Sequence, residues 1–426
     1  MQTIVALASA RGRAGVSIIR VSGPSSFAIC EALAGDVPEP RQASLRLLRD
    51  SQGETIDQAL VLTFERGRSF TGEESVEFHV HGSPAVVQAV LSFCMEHRGV
   101  RAALPGEFTR RAYESGNLCA VQVEGLADLI DADTEKQRKL AMRLLKGDSQ
   151  EFVNSWRKQL LEALSLLEAG IDFSDEELSP DLLPTILHLL KITAKDIRAQ
   201  LSTRRVSEKI RDGYDVAIIG EVNLGKSTLL NALAGRDAAL TSEHAGTTRD
   251  VIEVTMEIEG YSVSLIDTAG LRRTEDPVER LGIEKGQLRA READLRIYLK
   301  KTPEETVLTQ SIDDIVVLAK CDLFGLPGVS GKTGDGLDQL VDQIAKRLEN
   351  MISSSAIFSR ERHFRSLELA DIALQEAQRL LEMPLRQDEV AASSVRWAVT
   401  HLDSLIGRID VEEVLGEIFS SFCIGK

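Results

Sequence analysis

Hydrophobic and polar positions alternate in three short stretches near the start of the chain: 16–21 (VSIIRV), 59–64 (ALVLTF) and 75–80 (SVEFHV). A period of two puts successive side chains on opposite faces of a sheet, so each predicts a strand. Residues 84–96 (PAVVQAVLSFCME) carry an apolar stripe with Pro in the first turn and predict an amphipathic helix. Beyond residue 117 the period lengthens. Residues 123–130, 134–146, 150–169 and 184–206 place apolar side chains three and four apart between charges, as long helices do. Asp212-Gly213 breaks the run, and 366–381, 389–406 and 411–419 resume it. The expected organisation is an α+β domain over 1–116, an all-α domain in two segments, 117–212 and 351–426, and a separate unit over 213–350 inserted between them. Four domains in series is the alternative.

The inserted unit opens with 214–219 (YDVAII), an apolar run read as a buried strand, and then Gly220 to Ser227 (GEVNLGKS). That stretch fits G-x-x-x-x-G-K-[ST], flanked by strand and helix as the motif requires. Glycines let the backbone close round phosphates, and N–H groups at a helix N-terminus supply partial positive charge. The pattern assigns Asn223, Leu224, Gly225, Lys226, Ser227 and Thr228 to a triphosphate, with Lys226 on the phosphates and Ser227 on Mg²⁺. Downstream, 242–248 (SEHAGTT) supplies Ser242, Glu243, His244, Ala245, Gly246, Thr247 and Thr248, with Thr248 a second Mg²⁺ ligand. A hairpin turning at Glu259-Gly260 follows. It ends in Asp267-Thr268-Ala269-Gly270, where Asp267 reaches Mg²⁺ through water and the Gly270 N–H meets the γ-phosphate.

The base-reading segment departs from the usual GTPase form. Lys320 and Asp322 fit N-K-x-D, but Ala319 stands for Asn; Ser330, Gly331 and Lys332 fit S-A-K with Gly for Ala. Asp322 can accept from the guanine N1–H and amino group, so the expectation is guanine preference with weakened affinity, which Ala319→Asn should raise. Leu271 follows Gly270, where many small GTPases place a water-orienting Gln. Water positioning and positive charge must therefore come from elsewhere.

Composition narrows the setting. The 426 residues include 50 Lys and Arg against 66 Asp and Glu, a formal net charge of −16, so no global basic footprint marks a nucleic-acid surface. Any RNA contact needs a local patch or a partner. Five scattered cysteines without C-x-x-C argue for a reducing, cytoplasmic setting and against a zinc site. No apolar run reaches about eighteen residues, so no membrane is expected, and the first residues read as strand and turn rather than a signal peptide. His79 and His81 share one strand face; a polar face is preferred there over a metal site.

The motifs N-x-G-K-S, A-G-T-T-R-D and D-T-A-G-L-R, with the terminal C-I-G-K, together resemble the MnmE (TrmE) family of tRNA modification GTPases. Residues 12–23 (GRAGVSIIRVSG), 70–82 (FTGEESVEFHVHG), 104–112 (LPGEFTRRA) and 123–133 resemble it too. The resemblance implies a dimerising tetrahydrofolate-binding N-terminal domain, a helical domain and an inserted Ras-like G domain. It implies a K⁺-dependent GTPase, activated when two G domains pair. With the FAD- and NADH-using MnmG it would place a carboxymethylaminomethyl group on the wobble uridine of tRNA, from a 5-formyltetrahydrofolate-type donor. By position Asn223, Ser242, His244 and Thr247 would hold K⁺, where the ion stands in for an arginine finger. Glu279 would activate water, Cys423 would lie near the one-carbon site, and Arg20, Glu77, Asn117 and Lys426 would contact folate. The family often has Lys at position 117. Read without the resemblance, Glu279 is a solvated carboxylate and Cys423 a buried thiol or a poor prenylation signal. The alternative function is a GTPase switch in ribosome or RNA assembly, which would lack the N-terminal domain.

Overall fold

A computed structural model describes residues 2–172, 182–221, 223–235, 253–267, 288–289, 291–307, 309–350 and 356–407, with 416, 419 and 425. The chain divides into two compact units, 1–127 with 402–426, and 128–401.

The first unit is built on a six-stranded sheet of β1 (Thr3–Leu7), β2 (Ala14–Ser22), β3 (Ser44–Arg49), β4 (Thr55–Phe64), β5 (Ser75–Gly82) and β6 (Val100–Ala102), in the order β3-β4-β5-β2-β1-β6. Neighbours are antiparallel except β1 and β6. Helices α1 (Ser26–Ala34) and α2 (Pro84–Glu96) cover one face, where Val5, Ile19, Val21, Val61, Val76, Phe78 and Val90 form the core. Alternation carries Ile4 and Ala6 of β1 to the other side, against Phe108 of α3 (Glu107–Glu114). Farther along that open face, Leu45 of β3 lies opposite Leu60 of β4, and Leu60 opposite His79 of β5. Both leucines are about half exposed. The helix α4 (Ala120–Ile130) closes a small cluster through Ala120, Val123 and Phe419.

The second unit carries helices α5 (Glu135–Lys146), α6 (Asp148–Asp172), α7 (Leu182–Leu201) and α8 (Arg204–Asp212) ahead of the inserted sheet. Thr134 caps α5 reciprocally with Gln137. The single helix expected over 184–206 is in fact two. Ser202 Oγ donates to the Ala199 carbonyl and Thr203 Oγ1 to the Gln200 carbonyl, both at 2.7 Å, so the hydroxyls cap the backbone where the helix ends.

The inserted sheet holds β7 (Tyr214–Ile219), β8 (Glu253–Ile258), β9 (Tyr261–Asp267), β10 (Leu295–Lys300) and β11 (Ile315–Leu318), ordered β11-β10-β7-β9-β8. All pairs are parallel except β8 with β9. Helices α9 (Lys226–Ala234) and α10 (Leu337–Asn350) pack on it through Leu229, Leu233, Leu340, Ile344 and Leu348. Beyond it run α11 (Glu361–Leu381) and α12 (Asp388–Leu405). This is the doubly wound arrangement that places ligands at the carboxyl ends of its strands. No described helix is long and apolar enough to cross a membrane.

Candidate nucleotide site and N-terminal ligand site

The phosphate loop leaves β7 at Ile219 and enters α9 at Lys226, so its backbone N–H groups meet the helix N-terminus. Gly225 stands at φ +87° and Asn223 at φ +65°, the left-handed region that Gly and Asn tolerate best. The Asn223 side chain is exposed, while Leu224 is buried in the sheet core. Lys226 is 5% exposed, and its ammonium donates to the Gly220 carbonyl at 2.6 Å and the Glu221 carbonyl at 2.8 Å. The amine is thus held along the inner edge of the loop. Burial lowers its pKa from the usual lysine value, opposed by the Asp267 carboxylate.

Asp267 ends β9, is fully buried, and accepts a 2.5 Å hydrogen bond from Ser227 Oγ. A hydroxyl and a carboxylate so close are two hard oxygen donors of the kind Mg²⁺ takes while keeping waters and phosphate oxygens for its other positions. The pair therefore fits Mg²⁺. The described residues hold no cluster of three or more His, Cys, Asp or Glu, so a wholly protein-built metal cage is not what they offer.

Next to the phosphate loop a cavity of about 340 Å³ is lined by Leu224, Thr228, Leu229, Leu299, Ala319, Lys320, Asp322, Leu323 and Ser330 to Lys332. Its apolar walls and single carboxylate suit a flat heterocycle with N–H groups on one edge. Lys320 takes φ +53°, which turns the chain sharply at the end of β11. The segment from Ser242 to Thr248, Thr268 to Gly270 and Glu279 lie outside the described residues, so the second Mg²⁺ ligand, the remaining K⁺ ligands and the proposed water activator are not seen.

In the first unit, β2 and β5 set Arg20 directly opposite Glu77. The two side chains pair with each other, Nε and Nη2 of Arg20 each 2.9 Å from Glu77 Oε1. The guanidinium also lies 5.6 Å from the Phe70 ring and 5.7 Å from the Phe108 ring. Asn117 Nδ2 donates to the carbonyls of Ser69 and Phe70 at 3.2 and 3.1 Å, so it fastens the loop carrying Phe70. His79 lies 3.3 Å from Glu77, and His81 2.8 Å from Asp57, which accounts for both as strand-face partners of carboxylates. Sequence reasoning missed this wiring, and missed Arg111, which is 7% exposed and pairs with Glu73 and Glu107. Only the arginine-rich 104–112 stretch hinted at it. Cys423 and Lys426 lie outside the described residues, but Gly425 between them does not. A Cβ there would sit 2.1 Å from the Leu7 carbonyl oxygen, so Gly425 lies against the end of β1, one residue along from Ala6, the partner of Arg20.

The family described as the MnmE helical domain matches residues 121–423, and that described as the GTP-binding protein TrmE N-terminus matches 3–117. The tRNA modification GTPase MnmE of Cereibacter sphaeroides is 51% identical over 429 residues, covering 100% of both chains. That of Roseobacter denitrificans is 48% identical over 431 residues with the same coverage. This chain belongs to the MnmE family. Among solved structures, Era of Aquifex aeolicus bound to GDP and AlF4⁻ is 24% identical, covering 38% of this chain and 66% of that one at a TM-score of 0.25. The cytosolic domain of the Thermotoga maritima FeoB iron transporter is 18% identical, covering 45% and 98%, at 0.23. MnmE membership takes in both halves of the molecule, the N-terminal sheet as well as the residues surrounding the phosphate loop.

Proposed function

We propose that this chain is a GTPase acting in tRNA modification, as its MnmE relatives are named, and that it uses Mg²⁺ and K⁺ in hydrolysis and a tetrahydrofolate in the modification. The observation that carries the GTPase half is the conjunction of loop, Ser227–Asp267 pair and base cavity at the carboxyl ends of the parallel strands of one sheet. Lys226 and the loop N–H groups bind the phosphates. Ser227 and Thr248, with Asp267 through water, would hold Mg²⁺, which would supply positive charge to the phosphates. Asn223, with Ser242, His244 and Thr247, holds K⁺, and Glu279 orients the attacking water.

The modification half rests on the first unit. Arg20 and Glu77, with Lys426, bind the folate, and Cys423 lies close to its one-carbon group. The approach of Gly425 to the end of β1, beside the Arg20 row, supports this reading. The exposed Leu45–Leu60 pair on the open sheet face supports a homodimer through this unit. MnmG would join that dimer in a heterotetramer and wobble-uridine chemistry would follow, in the cytoplasm. Calorimetry of the full-length chain with 5-formyltetrahydrofolate tests it. Saturable binding is expected, weakened about tenfold or more by Arg20→Ala as a charged hydrogen bond is lost. Absence of binding to the unaltered chain would remove the folate reading and leave the GTPase reading standing.

A further inference from the structure

Two departures from the usual guanine-reading pattern, Ala319 and Gly331, line the same cavity. An Asn at 319 would offer an amide with two donors and an acceptor to the loop facing it; Ala offers none. Something else must fix that loop. A Cβ built on Gly331 would lie 2.7 Å from the Leu229 nitrogen and from the carbonyl carbon and oxygen of Thr228, all backbone atoms of α9. The loop is therefore seated on the first turn of the helix that grips the phosphates, at a distance only glycine permits. The rest of the turn is built to hold that seat. Val329 bridges Ala319 in parallel, the Ser330 N–H donates to the Asp335 carbonyl at 2.9 Å, and Ser330 Oγ accepts from Lys332 and Thr333 N–H at 3.3 Å. The Gly331 N–H has no partner among the described residues and borders the cavity, where it can meet a purine carbonyl.

We propose that Gly331 is a specificity-determining residue of this site: its missing side chain lets close packing on α9 do the work of the amide missing at Ala319. The proposal rests on the nucleotide-site reading above. The two positions are then coupled. Restoring the commoner alanine at 331 alone lifts the loop from its seat and damages base reading, although it adds one methyl group. Restoring asparagine at 319 matters little while the seat holds and much once it is broken.

The test is a double-mutant cycle on the full-length chain, with dissociation constants for methylanthraniloyl-GDP and methylanthraniloyl-ADP. Gly331→Ala is expected to weaken GDP about tenfold and ADP by no more than about twofold, so that selectivity falls. Ala319→Asn is expected to tighten GDP by at most about threefold in the natural background and by about tenfold in the Gly331→Ala background. Additive effects, an unchanged GDP affinity in Gly331→Ala, or equal weakening of GDP and ADP each overturn the proposal. If Gly331→Ala does not fold, Ala319→Asn alone decides, since a tenfold or larger gain shows that the seat does not replace the amide. Failure of the unaltered chain to bind GDP would instead remove the nucleotide-site reading.

Discussion

Glu107 shows how much one side chain carries in the N-terminal unit. Burial alone would raise its pKa, but hydrogen bonds from Arg101, the Leu104 N–H and Arg111 outweigh it and hold the carboxyl at about 2 against the usual 4.5. A depressed carboxylate contributes stability that is present above pH 4.5 and is lost as pH falls toward 2. Glu107→Gln should therefore destabilise the chain by about 3 kcal/mol at pH 7, from a shift of this size, and the gap should close near pH 2. Urea titrations of both chains at the two pH values check this, and a gap that persists in acid contradicts it. Cys94 illustrates the opposite case, its thiol pushed up to about 12 by burial, which suits an inert core residue. Single-residue placements were legible only where a contiguous motif fixed them. The positions of Lys226 and Ser227 on the loop and first turn could be read because eight adjacent residues imply their own geometry. The Arg20–Glu77 pair could not, because 57 positions separate its members and only the register of β2 against β5 makes them neighbours.

Elements were read where one period dominated. The alternation of β2, β4 and β5 reflects one covered face, and the capped α5 began within one residue of its expected start. The strand β3 escaped notice because Leu45, Leu47 and Leu48 do not alternate cleanly, two of them facing solvent at the sheet edge. The break between α7 and α8 escaped it because hydroxyl capping competes locally with an unbroken apolar stripe. The β8–β9 turn was legible from Glu259-Gly260 alone, and both residues take positive φ, +50° and +83°, as a two-residue hairpin demands. Its tip does more than turn. The Gly260 carbonyl accepts from the Lys136 N–H at 3.2 Å, and the Lys136 ammonium lies 4.9 Å from the Tyr261 ring, which ties the hairpin leading to Asp267 to the first turn of α5. Gly260→Val adds a branched side chain where φ is positive and where even a Cβ lies 3.1 Å from Lys136 Cγ. A loss of about 1–3 kcal/mol is expected in urea titrations, and a neutral outcome would show that the tip accommodates it.

At the scale of the molecule, a net charge of −16 sits uneasily with a polyanionic substrate, so the tRNA contact of the proposed function would need a local basic patch or a partner. The proposed GTPase centre carries the same dependence on others. On the proposed reading Gly225, Lys226 and Ser227 would grip phosphate and Mg²⁺, whereas Leu271 follows Gly270 where a water-orienting Gln is common. Asn223 is exposed on the loop, and on the proposed reading it would be the side chain through which a monovalent cation, and with it a second G domain, completes the centre. GTP turnover per chain, measured in KCl and in NaCl at equal ionic strength over a range of chain concentrations, tests this most directly. Turnover should be faster in K⁺ by about tenfold or more and should rise with chain concentration, as expected when pairing supplies preorganised charge to the transition state. Equal rates in the two salts, unchanged with concentration, would contradict it.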